Sequence, residues 1–203
     1  MKRCYDRLVL VARPKIYDEQ LRSRLLELTA EVIRTQGPAG LSLRQLAGSA
    51  GTSTSAVYAL CGSKDELLDA LTAHAFASFG AKQQEALPRG LRALGLTYRQ
   101  WALEHSALYS LMFAQPLTQL SEATLQIAQD SLASLVAAVS QRQAEDPLNA
   151  AVLIWAQVHG ALSLELAQAG PPETSWQQIY ERLLDQIEAS LPQDPQHGKE
   201  QGA

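Results

Sequence analysis

Cysteine and long apolar runs are both scarce in this chain. Its 203 residues include two cysteines, Cys4 and Cys61, whose spacing fits no zinc pattern. No apolar run approaches the ~18 residues of a transmembrane helix, and the run 8–12 is too short for the core of a signal peptide. We therefore expect a cytoplasmic protein that has no membrane partner, in which both thiols stay free because that compartment is reducing.

Charge is unevenly distributed, although the formal net charge is only −4. Residues 1–64 hold ten Lys and Arg against five Asp and Glu, whereas residues 65–203 hold seven against sixteen. A basic segment joined to an acidic body is typical of proteins whose basic part meets a polyanion. A solvated surface with uneven charge would give the same numbers, so charge alone leaves both interpretations open.

Helical patterns fill nearly the whole chain, and no stretch shows the alternation typical of a strand. Apolar residues at helical spacing, Ser and Asp caps, and Gly or Pro breakers predict an all-α fold of about nine helices, the first capped by Asp18. The predicted ranges are about 18–36, 42–50, 53–61, 63–86, 90–105, 106–114, 119–144, 148–169 and 174–190. The polar, breaker-rich residues 191–203 predict a frayed tail.

The most informative segment is residues 41–60, where two short predicted helices meet at Gly51. A short helix, a tight turn at a glycine and a second short helix form a helix-turn-helix. Gly51 can adopt the left-handed backbone that such a turn needs. Ala47 and Ala50 are small enough for the two helices to approach closely.

Four hydroxyl side chains open the second helix of this motif, namely Thr52, Ser53, Thr54 and Ser55. In a helix-turn-helix the second helix lies in the DNA major groove with its N-terminal residues at the base edges. Short hydroxyls there can bond to phosphates or bases, and the N-terminal helix dipole favours phosphate. The alternative is that Ser53 only caps the helix and the other hydroxyls are solvated.

Residues 41–71, LSLRQLAGSAGTSTSAVYALCGSKDELLDAL, resemble the DNA-binding region of the TetR family of transcriptional regulators. The matching residues are Ala50, Gly51, Ser53, Val57, Tyr58 and the run 62–67, GSKDEL. With the upstream helix the resemblance covers about residues 18–71. It implies phosphate contacts from Ser42, Arg44, Tyr58 and Lys64, and places Thr54 and Ser55 nearest the bases.

Two departures from the family pattern lie in this segment. Ala59, Leu60 and Cys61 stand where the family has His or Tyr followed by Phe, and Thr52 replaces a usual valine. Cys61 is therefore interpreted as a smaller core substitute for the phenylalanine.

A second resemblance lies in the acidic part of the chain. Residues 98–113, YRQWALEHSALYSLMF, and 155–160, WAQVHG, are similar to the ligand-binding domain type known in this family for its Trp-His-Gly signature. Here that signature is Trp155, His159 and Gly160. The resemblance implies that the helices after the DNA-binding part form an effector pocket and a dimer interface.

Side chains with aromatic rings or polar tips also recur at helical spacing in these two segments. The candidate pocket residues are Trp101, His105, Tyr109, Met112, Phe113, Trp155 and His159. Such side chains can line a small-molecule pocket, although the same stripe is typical of an ordinary core. Two histidines without a third ligand do not make a zinc site, so no metal is expected.

These patterns predict four regions. They are a basic N-terminal arm at 1–17, a helix-turn-helix domain at 18–71, a ligand-binding and dimerisation domain at 72–190, and the tail at 191–203. The predicted function is a homodimeric repressor that binds palindromic operator DNA and responds to an apolar or aromatic small molecule. The expected dimer interface is formed by helices 148–169 and 174–190, with Leu183, Leu184 and Ile187 in the second helix.

Two other classes of function stay open at this point. One is an all-helical enzyme that uses His105 or His159 with Glu104 or Glu165. No nucleophile–base pair, phosphate loop or metal motif is visible, so we predict no enzyme and no cofactor. The other is a helical interaction module that has lost DNA binding.

Overall fold

The computed structural model describes the backbone of residues 15–192 and the side chains of residues 19–192. Within this range the backbone forms ten α-helices, three short 3-10 turns and no strand, so the predicted all-α class is confirmed. The helices are α1 (Lys15–Gln36), α2 (Leu43–Ala50), α3 (Thr54–Cys61), α4 (Lys64–Ala86), α5 (Leu91–Glu104), α6 (Ser106–Met112), α7 (Glu122–Asp130), α8 (Ala133–Gln141), α9 (Pro147–Leu166) and α10 (Trp176–Ser190). None of these ten helices is both long and apolar enough to cross a membrane.

The chain divides into two compact units, and the division falls after Leu68, inside α4. We call them the N-terminal unit and the C-terminal unit. Residues 1–14 of the predicted arm and residues 193–203 of the predicted tail lie outside the described residues.

The N-terminal unit is built on a small apolar core. Its buried residues are Leu21, Leu25, Leu41, Leu43, Leu46, Ala47, Ala50, Val57 and Leu67. Helix α1 begins at Lys15, three residues before the predicted cap at Asp18.

The predicted helix 119–144 is wrong, because two helices, α7 and α8, occupy that range. Between them the Leu132 N–H bonds to the Gln129 carbonyl at 3.1 Å, three residues back rather than four. The Ser131 hydroxyl donates to the Ala128 carbonyl at 2.6 Å, a local bond that competes with the helical pattern. A side-chain carbon added to Gly80 would lie 3.5 Å from the Ser131 backbone, so α4 packs closely against this break.

The C-terminal unit has a larger core that includes residues of α4–α10. A bidentate ion pair joins α5 to α9, with Arg99 donating to Glu165 at 2.9 and 2.5 Å. Asp69 on α4 accepts hydrogen bonds from the Ser121 and Thr124 hydroxyls at 2.6 and 2.8 Å, which fixes the start of α7.

Helices α5 and α10 pack closely against each other at Gly95. The Tyr180 hydroxyl donates to the Gly95 carbonyl at 2.9 Å. A side-chain carbon added to Gly95 would collide with Leu184 Cδ2, a buried atom in the core. Glycine at residue 95 is therefore required by packing rather than by backbone conformation.

Gly95→Ala should lower the free energy of unfolding by about 1–2 kcal/mol, because overpacking exceeds the helical gain of alanine. The matched control is Gly80→Ala, whose added carbon meets only ordinary contacts at 3.5 and 3.6 Å. The control should be neutral or more stable by up to about 1 kcal/mol. Urea unfolding followed by circular dichroism measures both. Equal stability of the two variants would contradict this account of the α5–α10 contact.

Candidate functional site

The turn between α2 and α3 forms as the sequence predicts. Ser42 caps α2, with its Oγ accepting from the Gln45 N–H at 3.5 Å. Gly51 has φ 66° and ψ 35°, the left-handed conformation, and the Thr52 N–H bonds back to the Ala47 carbonyl at 2.9 Å. This backbone pattern ends α2 at a glycine and turns the chain directly into α3.

The hydroxyl run lies at the start of α3, and its members differ in their local bonds. The Ser53 Oγ accepts from the Ala56 N–H at 3.1 Å, so Ser53 does cap the helix. The Ser53 and Ser55 hydroxyls lie 2.9 Å apart and are hydrogen-bonded. Ser55 is exposed and Thr54 is half-buried, whereas Val57 is fully buried beneath them. The N-terminal turn of α3 thus presents short polar groups on the outside of the unit.

None of the eight predicted DNA-contact residues is in the core. Exposed residues among them are Arg44, Ser53, Ser55 and Tyr58, and half-buried ones are Ser42, Thr52, Thr54 and Lys64. Tyr58 is the clearest indication of a binding surface, because its large ring is 55% exposed on a helix of only eight residues.

The run GSKDEL that follows α3 has a local physical explanation. The Ser63 N–H donates to Glu66 Oε2 at 2.7 Å, and the Glu66 N–H donates to Ser63 Oγ at 3.2 Å, a reciprocal capping box. The hydrogen bonds from Ser63 hold the pKa of Glu66 below its usual value. Gly62 has φ 70°, and a side chain there would collide with the Glu66 carboxylate. These contacts place Lys64 in the first turn of α4.

Cys61 is half-buried and packs against the N-terminal core, in agreement with its interpretation as a core residue. Burial raises the pKa of its thiol, so the group behaves as a small apolar side chain rather than a nucleophile. Cys4, the other cysteine, lies outside the described residues.

The C-terminal unit contains a cavity of about 160 Å³ lined by residues of α4–α10. Four of the seven predicted pocket residues line it, namely Tyr109, Met112, Phe113 and Trp155. Its remaining wall is almost entirely apolar, with Leu94, Leu135 and Ile154 among the contributors.

Three predicted pocket residues, Trp101, His105 and His159, do not line the cavity. Trp101 is buried in the core, where its indole N–H donates to the Ser78 hydroxyl at 3.4 Å and its ring packs against Phe79. His105 is exposed at the break between α5 and α6, where φ is −122° and ψ is 41°. That break ends the helical spacing on which the prediction depended, since residues 101 and 109 belong to different helices.

His159 lies behind the cavity and anchors a polar chain. The Tyr109 hydroxyl is 2.6 Å from His159 Nδ1, and the Tyr98 and Tyr109 hydroxyls are 2.8 Å apart. The indole N–H of Trp155 donates to the Tyr98 oxygen at 3.3 Å. Burial raises the pKa of Tyr98 to about 12 and lowers the pKa of His159, so these groups are neutral at pH 7.

Sequence reasoning missed Tyr98, Phe76, Phe79 and Gln83, all of which line the cavity. Tyr98 precedes Trp101 by one helical turn, a signal that was available in the same segment. Phe76 and Phe79 continue the apolar face of α4 beyond Leu71 and Ala75. Nothing in the sequence singles out Gln83, because a glutamine near the end of a long helix is ordinarily solvated.

Charged groups occur at one side of the cavity, where one arginine pairs with two carboxylates. Arg92 lines the cavity and is 2.6 Å from Asp185 and 3.7 Å from Glu188, which also lines it. Gln129 lines the cavity as well and is exposed. The interior therefore offers a ligand no unpaired charge among the described lining residues.

Most residues considered for an enzyme have other partners or are exposed. Glu165 is bound by Arg99, His159 by the tyrosines, and His105 is exposed at a helix break. Among residues 19–192, no group of three or more His, Cys, Asp or Glu side chains could hold a metal ion.

Comparisons with known proteins agree with both units. Residues 25–71 match the family described as "Bacterial regulatory proteins, tetR family", and residues 91–187 match "Tetracyclin repressor-like, C-terminal domain". HTH-type transcriptional regulator Rv1816 from Mycobacterium tuberculosis is 30% identical over 107 residues, which are 49% of this chain and 46% of that protein. The chain thus spans about half the length of the curated relatives it matches.

Solved structures show the same fold over most of the chain. A protein of unknown function from Rhodococcus sp. RHA1 has a TM-score of 0.75 and 25% identity, covering 85% of this chain and 95% of its own. The TetR family transcriptional regulator PfmR from Thermus thermophilus has a TM-score of 0.60 and 22% identity, covering 81% and 96%. The two family matches, which together span well over half of the chain, and the shared architecture show that this chain belongs to the TetR family of bacterial regulatory proteins.

Proposed function

We propose that this protein is a transcriptional repressor that binds palindromic operator DNA as a homodimer and responds to a small-molecule effector. The observation that carries the DNA-binding part is the outer face of α3. A helix of eight residues presents Thr54, Ser55 and Tyr58 outward above a fully buried Val57. A helix with this polar N-terminal turn can enter the major groove with its first residues at the base edges.

Electrostatics supports the same proposal. Residues 1–64 carry five more basic than acidic side chains, and Arg44 and Lys64 lie on α2 and α4, on either side of α3 along the chain. Phosphate contacts of this kind release counterions, so log K falls by about 0.9 per contact for each unit of log salt. Ser55 and Thr54 are the residues proposed to contact bases.

Lys64→Ala should weaken binding to all DNA sequences alike and reduce the salt slope by about one unit per lost contact. The matched control is Lys82→Ala, an exposed lysine of α4 in the C-terminal unit, paired with Glu85. Fluorescence anisotropy with DNA from around the protein's own gene, at several salt concentrations, measures both. The assignment fails if Lys64→Ala keeps the affinity and slope of the parent protein.

Thr54→Ala should change the base preference of the protein instead of its general affinity. A lost base contact relaxes discrimination at one position by about 1–3 kcal/mol, while the phosphate contacts keep the salt slope unchanged. Selection from a randomised operator library compares the variant with the parent. An unchanged preference at every position would show that Thr54 contacts no base.

The proposed dimer interface is centred on α9. This helix leaves Leu148, Val152, Leu153 and Leu164 exposed, with Leu153 at 63%. A side-chain carbon added to Gly160 would meet nothing within 4 Å, so this face is open within one chain. An exposed apolar face of this kind favours a protein interface. On α10 the predicted contribution changes, because Leu184 and Ile187 are buried in the chain's own core while Ile179 is exposed.

Leu153→Glu should convert the protein to a monomer, because the interface would have to bury a charge. The matched control is Leu96→Glu on α5, where another leucine is exposed. Light scattering at micromolar concentration measures the mass of each variant. Because the proposed repressor binds its operator as a dimer, Leu153→Glu should also bind the operator more weakly than the parent protein. A parent protein that is a monomer at this concentration and still binds its operator with full affinity would contradict the proposal.

The cavity of the C-terminal unit is the proposed effector site, of the Trp-His-Gly type. Its volume of about 160 Å³ is close to that of an engineered cavity of roughly 150 Å³ that binds benzene. Trp155 forms part of the wall, and His159 is hydrogen-bonded to Tyr109, which also lines the cavity. Helix α4, which carries Lys64, also supplies Phe76 to the wall. An effector that prefers one arrangement of this helix by ~1–3 kcal/mol would change operator affinity about 5- to 150-fold.

Ala128→Phe should abolish the response to an effector while leaving operator binding of the free protein intact. Ala128 is buried and lines the cavity, so a phenyl ring there occupies the space. The matched control is Ala123→Phe on the same helix, where the alanine is exposed. Operator binding is measured across a panel of small aromatic compounds. A response that survives in Ala128→Phe would place the effector elsewhere.

A further inference from the structure

Gln83 has an unusual environment for an amide. It lies on α4 with 4% of its surface exposed, and it lines the cavity. Among the side chains of residues 19–192, its Nε2 is the single fully buried nitrogen or oxygen without a hydrogen-bond partner. The neighbouring Gln84 behaves differently, because its Oε1 accepts from the Ser134 hydroxyl at 3.2 Å.

A buried donor without a partner is costly, and native proteins contain few of them. Because Nε2 has almost no accessible surface, a group inside the cavity can accept its hydrogen bond only after the amide turns toward the cavity, and the cost then disappears. An amide N–H₂ is a donor to carbonyl, ester, ether or hydroxyl oxygens. The rest of the wall is almost entirely apolar. One acceptor therefore raises the affinity of a ligand, whereas additional polar groups that find no partner lower it.

The charges near the cavity argue for a neutral ligand. Arg92 is already paired with Asp185 at 2.6 Å, and the Glu188 carboxylate also lines the cavity. An anionic ligand would meet the Glu188 carboxylate on a side where two carboxylates face one arginine. A cation would lose its hydration against a wall that is almost entirely apolar.

We propose that Gln83 is the specificity-determining residue of the cavity and that the site takes a small, uncharged, mostly apolar molecule with one hydrogen-bond acceptor, held by the Gln83 amide. This inference rests on the proposed function of the cavity as an effector site. A benzene-sized ring carrying a single carbonyl oxygen represents the class.

The test compares three probes of similar shape by isothermal titration calorimetry on the full chain, namely toluene, benzaldehyde and benzoate at pH 7. The parent protein should bind benzaldehyde about tenfold more tightly than toluene, since the carbonyl satisfies a donor that toluene leaves unpaired. Benzoate should bind most weakly. The variant Gln83→Met removes the donor and keeps a side chain of similar length, so its affinities for toluene and benzaldehyde should become equal.

The matched control is Gln129→Met, because Gln129 lines the same cavity but is exposed. This variant should keep the preference for benzaldehyde. Thermal unfolding without ligand gives a second readout, in which Gln83→Met should be at least as stable as the parent, because its amide has no partner to lose.

The outcomes separate the two proposals. Binding of toluene and benzaldehyde with equal affinity by the parent overturns the role of Gln83 but leaves the cavity as an effector site. Failure of all three probes to bind overturns the effector site and the inference together. Tightest binding by benzoate overturns the neutral class. A marked loss of thermal stability in Gln83→Met would show that the amide already has a partner within the protein, which also overturns the inference.

Discussion

The indole N–H of Trp155 begins a chain of hydrogen bonds that joins three helices of the C-terminal unit. This group can only donate, so the Tyr98 oxygen must accept from it. The Tyr98 and Tyr109 hydroxyls bond to each other, and both lie within hydrogen-bond distance of His159 Nδ1. Burial lowers the pKa of His159 and so favours the neutral imidazole, whose Nδ1 can accept a hydrogen bond when the ring proton is on Nε2. These bonds join side chains of α5, α6 and α9.

Aromatic rings pack against this chain of hydrogen bonds at the wall of an otherwise apolar cavity. Phe79 packs edge-on against Tyr98 with ring centroids 5.2 Å apart, and Phe113 packs against His159 at 4.5 Å. Because the two tyrosine hydroxyls are already bonded to each other and to the imidazole, they have little capacity left for a ligand. The Gln83 Nε2 has by contrast no hydrogen-bond partner in the protein, which is why we propose it as the polar contact for a molecule in the cavity.

Local signals made the N-terminal unit predictable from the sequence, and non-local ones limited the prediction of the cavity. The turn at Gly51 and the capping box of Ser63 with Glu66 act within a few residues, so their residue types specify their geometry. The position of His105, by contrast, depends on where α5 ends. The break at Ser131 was missed although its hydroxyl bonds locally to the Ala128 carbonyl, because a serine inside a helical pattern does not by itself predict a break. Gln83 could not be found because burial of an amide is decided entirely by its neighbours.

The cavity also makes the volume of the folded chain larger than its atoms require. An apolar wall excludes water, and unfolding eliminates any part of the cavity that stays dry, so the unfolded state of this protein occupies less volume than it would for a solid core. Hydrostatic pressure then favours unfolding of the C-terminal unit, whose cavity measures about 160 Å³. A molecule that fills the cavity reduces this volume difference. The pressure at which the C-terminal unit unfolds therefore measures whether the cavity is occupied, and this measurement requires neither DNA nor a fluorescent label.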